Sequence, residues 1–369
     1  MRTKKGLSWE LNEVSAGKFA GCTYRFIVKS TMVRMAVSER GPWMARRIGL
    51  TNNCFVPRQS CNEPAPKQGR FRVECVACLG NTGREHNLRE MMFGTHKEFV
   101  YWECSGCGCL QIATIPEHMG EYYPPGYYSF SMQSPAWKKW YYRAHFAAPR
   151  LMKVLRRSSP DIASVIAARP KPGARILDVG CGGGKLVNIL RSLGFDAHGI
   201  DPFIEAETAY VRRASIEDVQ GGWDLIMFHH SLEHMPNHIK VLGCVRSKLG
   251  VGGTCLVRIP VATWAWRHYG RDWAQLDAPR HLVIHTPRSF QLTANAAGLE
   301  LARTIFDSYE FQFWASEGYR RGLRGRKRME SFSRKELQEF RAQADNLNRQ
   351  QLGDSAAFFL VAQNSKKEQ

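Results

Sequence analysis

The sequence contains no run of 18 or more apolar residues, so it offers no candidate for a membrane-spanning helix. It opens MRTKK, but no apolar stretch follows, and a secretory signal needs one. FAGC, ending at Cys22, echoes a lipoprotein cleavage site and fails for the same reason. A cytoplasmic location is therefore the expectation. Acidic residues are also scarce. The chain has 33 Asp and Glu against 52 Lys and Arg, a formal net charge of +19. The deficit is uneven: residues 1–70 hold 13 Lys/Arg and 4 Asp/Glu, and residues 317–369 hold 12 and 7. The basic excess sits mainly in the two ends. Such ends bind nucleic acid or anionic surfaces, or are simply solvated tails. Residues 1–70 lack any sustained period of 3.6 or 2 and are punctuated by Pro, Gly and Asn. They are expected to be a disordered basic extension.

Cysteine is not scarce, and it is clustered. Five of the 11 cysteines fall between Cys75 and Cys109. Without an export signal, such grouping favours metal over disulfides. Cys75-Val-Ala-Cys78 and Cys104-Ser-Gly-Cys107 are two C-x-x-C knuckles, and Cys109 is a spare that could replace Cys107. Four thiolates can surround zinc tetrahedrally, which closes the site and makes it structural. Buried free thiols or a redox C-x-x-C are the competing readings. A small zinc-ribbon-like module with an aromatic linker is expected over residues 71–134. Its strand-like runs are FRVECVACLG and FVYWECSGCGCLQIATI.

Residues 134–156 read as an amphipathic helix, and RPKPG at 169–173 as a break. Strands then alternate with helices. The strands are ARILDVG, AHGIDP, WDLIMFHH, TCLVRIP, LARTIF and AAFFLVAQN, with a helix expected before SIEDV. This order implies an α/β fold with a doubly wound, mostly parallel sheet. It is assigned to residues 135–369, with insertions at 260–286 and 310–352.

Between the first strand and its helix lies Asp178-Val-Gly-Cys-Gly-Gly-Gly184. Gly180, Gly182 and Gly184 make a tight turn where backbone can lie against a ligand. A dinucleotide fingerprint would need glycine where Lys185 stands. Asp201 ends the next strand, placed so that its carboxylate can accept from ribose hydroxyls.

With these stations in order, the chain resembles the class I S-adenosylmethionine (SAM)-dependent methyltransferases over about residues 140–363. The resemblance implies a Rossmann-like seven-stranded sheet and SAM as cofactor. It implies that Asp178 supports the methionine end or the loop, with the backbone at Gly180 and Gly182 close to the same end. Phe203 or Pro202 would cover the adenine face, and Ile216 and Glu217 would bracket its edge.

His229-His-Ser-Leu-Glu-His234 contains H-x-x-E-H, a zinc-peptidase pattern. Its place at the carboxyl end of a strand, just before Pro236, does not suit a metal-binding helix. In the methyltransferases this stretch is the SAM-facing lip, so His229 and His230 would line the methionine end or the acceptor pocket. His234 is a candidate general base, although Glu233 and His234 could merely cap the next helix. Leu276-Asp-Ala-Pro-Arg-His281 resembles an element of a subgroup with an N-terminal cysteine module and a Y-Y-S-F segment, here Tyr127–Phe130. That subgroup is associated with sugar, polysaccharide and natural-product biosynthesis. His281 becomes the second catalytic candidate. Arg280 is either an acceptor contact or an internal partner of Asp277.

The expected function is methyl transfer to a small-molecule or glycan-linked acceptor. An rRNA or tRNA methyltransferase is the alternative, gripping RNA with the zinc module and basic ends. It lacks an N-P-P-[YF] signature after the fourth strand. A non-catalytic zinc scaffold is the third reading, and the intact glycine loop opposes it.

Overall fold

The structure is a computed structural model that describes residues 18–19, 22–23, 74–123, 142–144, 146–148, 160–323 and 327–363. The remainder of the basic extension, the Y-Y-S-F segment and most of the helix expected at 134–156 lie outside the described residues. The described residues from Glu74 onward belong to one compact unit.

This unit holds two sheets. The smaller sheet contains β1 (Gly83–Arg89), β2 (Glu98–Cys104) and β3 (Leu110–Ile112). The larger contains β4 (Arg175–Val179), β5 (Asp196–Ile200), β6 (Val211–Arg212), β7 (Trp223–His229), β8 (Leu249–Pro260), β10 (Leu299–Phe306) and β11 (Ser355–Ala362). The two-residue β9 (Val283–Ile284) joins the smaller sheet, in the order β9-β3-β2-β1. The larger sheet runs β10-β11-β8-β7-β4-β5-β6. Its strands β6, β5, β4, β7 and β8 pair in parallel, and β11 runs antiparallel to both neighbours. This is the α/β, doubly wound sheet that the alternating pattern implies, with the seven strands that the resemblance implies.

The central strands are apolar on both faces because helices cover both. In β7 the stretch Leu225–Phe228 is wholly buried. The helices of six or more described residues are α1 (Pro160–Ala168), α2 (Lys185–Ser192), α3 (His238–Lys248), α4 (Trp264–Tyr269), α5 (Pro287–Ala296), α6 (Phe311–Arg320) and α7 (Arg334–Arg349). Helix α5 starts on Thr286, whose hydroxyl accepts from Ser289 N, with Pro287 in the first turn. Helix α7 has a Ser333–Glu336 capping box. Helices α6 and α7 occupy the insertion between β10 and β11.

Two local expectations differ from the structure. Residues 202–214 form bends and the short β6 rather than a helix. Pro202 opens this stretch, and Arg213 ties it down irregularly by donating from Nε to Ile204 O (2.9 Å) and from Nη2 to Glu205 O (2.9 Å). The first cysteine run is a knuckle, not a strand: Leu79 N donates to Cys75 O (2.9 Å) and Cys75 N to Gly80 O (2.9 Å). The second knuckle repeats this with Gly108 N to Cys104 O (2.8 Å). Leu79 and Gly108 hold the same left-handed turn, φ 59° and 73°. Leucine takes it at a cost of roughly 1–2 kcal/mol. Leu79→Gly is accordingly expected to stabilise the protein by about 1 kcal/mol in denaturant unfolding.

The cysteine module is not an appendage. Its buried Tyr101, Trp102, Leu110 and Ile112 share one core with Trp266, Trp273, Leu282 and Ile284 of the 260–286 insertion. Strand β9 of that insertion pairs antiparallel with β3. The module therefore forms a wall beside the carboxyl ends of the parallel strands.

Candidate functional site

The glycine loop leaves β4 with φ of 73°, 52° and 74° at Gly180, Gly182 and Gly184. A Cβ at Gly180 would fall 2.5 Å from Ser231 Cβ, and one at Gly184 2.4 Å from Val211 Cγ2. Side chains are excluded there by space as well as conformation. Ser231 Oγ donates to Val179 O (2.6 Å), which fixes the lip after β7 against the loop after β4.

Asp201 sits where β5 ends. Its Oδ2 accepts from Gly182 N (3.0 Å) and its Oδ1 from Phe203 N (2.9 Å). A carboxylate has about four lone-pair positions, so two remain for a ligand. Phe203 is 78% exposed. Ile216 is buried in the main core, and Glu217 pairs with Lys240 Nζ (3.6 Å). Asp178 is 3% exposed. Burial, then the charges of Asp161 and Asp201, push its carboxyl up to about 8. A buried acid beside two others is stabilised by a cation. SAM carries an ammonium and a sulfonium, so the residues present fit it: a tight glycine loop, a buried acid whose ionisation a cation would favour, and a second acid with spare acceptor capacity.

The lip after β7 holds the next group. His230 adopts φ 51° and its Nδ1 lies 3.2 Å from Glu233 Oε1. Its Nε2 touches the buried Arg258 guanidinium, which also binds Asp307 (2.6 Å) and Asp161 (3.3 Å). Both ring nitrogens of His229 are buried without a hydrogen-bond partner among the described residues. Burial pulls that imidazole down to about 4.

His234 and His281, 47 positions apart, come together with ring centroids 4.8 Å apart at 68°. Glu233 stands beside both, and the three offer ligating atoms within 4.8 Å of one another. His234 Nδ1 lies 2.9 Å from Arg280 O, and His281 Nδ1 2.8 Å from Gln275 O. A carbonyl only accepts, so each Nδ1 carries the proton and each Nε2 presents a lone pair. These tautomers are assigned from the hydrogen-bond network. Burial, then the neighbouring His234, pulls His281 down to about 4. Glu233 is 1% exposed. Burial opposes its ionisation, but the hydrogen bond from His230 and the surrounding imidazoles hold it at about 2. Its Oε2 has no partner among the described residues. By donor chemistry the trio can take a proton from an acceptor, and it could equally hold a divalent cation. Tyr123 reaches the same place, its hydroxyl 3.2 Å from His234 Nδ1.

Arg280 is not available to an acceptor. It is fully buried, donating to Asp277 (2.9 and 2.5 Å), Glu90 Oε1 (3.2 Å) and Tyr122 O (3.1 Å). Of its two possible roles, the internal one is what the structure shows.

In the module, the Cys75 and Cys107 sulfurs lie 3.5 Å apart, as do those of Cys78 and Cys104. All four fall within 4.8 Å of one another. A tetrahedral zinc–thiolate site needs sulfurs roughly 3.8 Å apart, so the group fits a zinc ion. Cys109 stands outside the group, its sulfur 3.9 Å from His285 Nδ1. A hydrogen bond with Cys109 is the main cause holding Cys75 down to about 4. The spare cysteine thus reads as a supporter of the set and not a member of it.

Sequence reasoning missed Glu90, Asp161, Asp307 and the Arg258 cluster. It weighed Glu233 only as a possible cap of the next helix, which Asn237 caps instead. Only Glu233 carried a signal, inside the L-E-H element.

Residues 141–304 match the family model described as a methyltransferase domain. The chain is 33% identical over 121 residues to a ubiquinone biosynthesis O-methyltransferase of Xanthomonas campestris pv. campestris, covering 28% of this chain and 50% of the relative. It thus spans about half the length of the curated relatives it matches. Among solved structures, a TehB-like SAM-dependent methyltransferase from Corynebacterium glutamicum is 16% identical, with 61% of this chain and 98% of that one covered at a TM-score of 0.33. An O-methyltransferase from a trans-AT PKS multienzyme of Brevibacillus brevis, in complex with S-adenosyl-L-homocysteine, is 13% identical, with 60% and 79% covered at a TM-score of 0.36.

Proposed function

We propose that this chain, whose core is a class I SAM-dependent methyltransferase domain, transfers a methyl group to a small-molecule or glycan-linked acceptor. The observation that carries the reading is the juxtaposition at the ends of β4, β5 and β7. The buried Asp178 in β4 and Asp201 at the end of β5 stand at one edge, and the Glu233–His234–His281 trio follows β7. The curated relatives are named for O-methyl transfer, which fits a hydroxyl acceptor next to an imidazole base. SAM supplies an activated methyl group when bound. The protein's part is to align the acceptor, exclude water and take a proton. His234 Nε2 is the base in this reading. His281 and Glu233 orient the acceptor and stabilise the protonated ring, and the module and the 260–286 insertion wall the site.

A pH dependence follows. In the free protein Asp178 keeps its proton up to about pH 8. A bound cation favours the carboxylate, so SAM binding releases a proton below that pH. SAM affinity should rise with pH, by at most about tenfold per unit, and level off above about 8. Titration calorimetry in buffers of different ionisation heat reads this directly. No SAM binding at any pH would remove the cofactor assignment. Binding with no proton release would remove Asp178 from it.

Zinc in the four-cysteine group belongs to the same reading. Purified protein is expected to carry about one zinc per chain. Cys75→Ser should lose the metal and lower Tm by on the order of 10 °C. Metal analysis finding no zinc in the unmutated protein would contradict it.

A further inference from the structure

His238 and His285 are fully buried. His238 Nε2 lies 3.0 Å from Met235 O, so it carries the proton. Burial pulls His238 down to about 4 and His285 below its ordinary value, so both rings are neutral near pH 7. His238 Nδ1 is then a bare acceptor, and His285 Nε2–H donates to it across 2.8 Å. His285 Nδ1 is left as an acceptor facing the Ser289 hydroxyl at 2.9 Å, which also lies 3.1 Å from Thr286 O. The protons of the two rings are thus fixed in order, starting from Met235 O.

This chain of bonds joins two places. At one end, Met235 closes the 3₁₀ turn Leu232–His234 that carries Glu233 and His234. At the other, Thr286, next to His285, donates from its hydroxyl to Cys107 O (2.7 Å). Cys109 Sγ touches the His285 ring. The His285 backbone is itself anchored, since Ala262 N donates to His285 O (2.8 Å).

We propose that His238 and His285 are positioning residues that transmit the placement of the four-cysteine module to the lip bearing Glu233 and His234. The functional meaning of that link rests on reading the lip as the acceptor site. A second tie, Leu282 N to Glu233 O (2.8 Å), holds the front of the turn. The histidine pair holds its back.

Hydrogen–deuterium exchange on the full chain, without cofactor or acceptor, tests the link. His285→Leu removes one buried hydrogen bond and leaves His238 Nδ1 without a donor. Exchange over residues 229–236 should accelerate about tenfold or more. Residues 98–112 and 223–228 should be unchanged. His285→Gln places an amide nitrogen near the Nε2 position and should restore protection to within about threefold. If His285→Leu does not fold, His238→Leu against His238→Gln makes the same comparison from the other end. Unchanged protection at 229–236 would overturn the proposal. So would acceleration spread equally over all three segments, which is what a merely structural pair would give. The outcome is independent of SAM binding, so it fails separately from the calorimetric test of function.

Discussion

Replacing Arg280 by methionine is expected to cost about 3–5 kcal/mol of folding free energy, because it leaves buried carboxylates unpaired. Glu90 is fully buried and Asp277 nearly so, and Arg280 is the cation both face. Glu90 already accepts from Phe93 N (2.8 Å) and Thr95 N (2.9 Å), so it cannot turn away. The variant should show a clearly lower denaturant midpoint in unfolding followed by far-UV circular dichroism. Glu90→Gln combined with Arg280→Met should cost less than the sum of the two. A loss under about 1 kcal/mol, as for a surface pair, would contradict this account of the insertion.

The sign of the pH dependence follows from the same residues. Burial opposes ionisation of Glu90 and Asp277, but backbone hydrogen bonds to Glu90 and the guanidinium beside both hold them below their ordinary 4.5 and 3.8. A depressed folded-state value gives stability that is present above the unfolded value and lost as pH falls through the folded one. The unmutated protein should lose stability below about pH 4.5. In Arg280→Met that acid limb should flatten.

Asp201→Ala is expected to weaken SAM binding about 100-fold, read by calorimetry at pH 8. The carboxylate does two jobs. It fixes Gly182 N and Phe203 N, and in the proposed complex its remaining lone pairs accept from ribose. The alanine variant loses both. Asp201→Asn keeps one acceptor oxygen and should fall between the two. An affinity within about threefold of the unmutated protein would exclude Asp201 from the cofactor site.

The sheet was legible because its signals are local. Strand–glycine–helix punctuation at Asp178–Gly184 and the short apolar runs of β7 and β8 speak through near neighbours. The cysteine knuckles were legible for the same reason. The helix expected near residues 202–214 failed because Arg213 binding Ile204 and Glu205 carbonyls stabilises an irregular path that no periodicity encodes. The site was half legible. His234 and His281 were named from separate elements, and folding brings their rings edge to face. Arg280 could not be assigned without Glu90, which lies 190 positions away. The His238–His285 contact likewise depends on β9 joining the cysteine sheet, a pairing of two residues that leaves almost no trace in sequence. Single-sequence reasoning reaches residues whose role is set by their own loop, and loses those whose role is set by a distant partner.

The central claim is methyl transfer to a small or glycan-linked acceptor. The most direct test incubates the purified protein with methyl-labelled SAM and extract of the source organism, then separates products by size before and after nuclease. Label in small or glycan material that nuclease does not alter is the expected result. Label that becomes small only after nuclease would contradict it, and would make nucleic acid the acceptor.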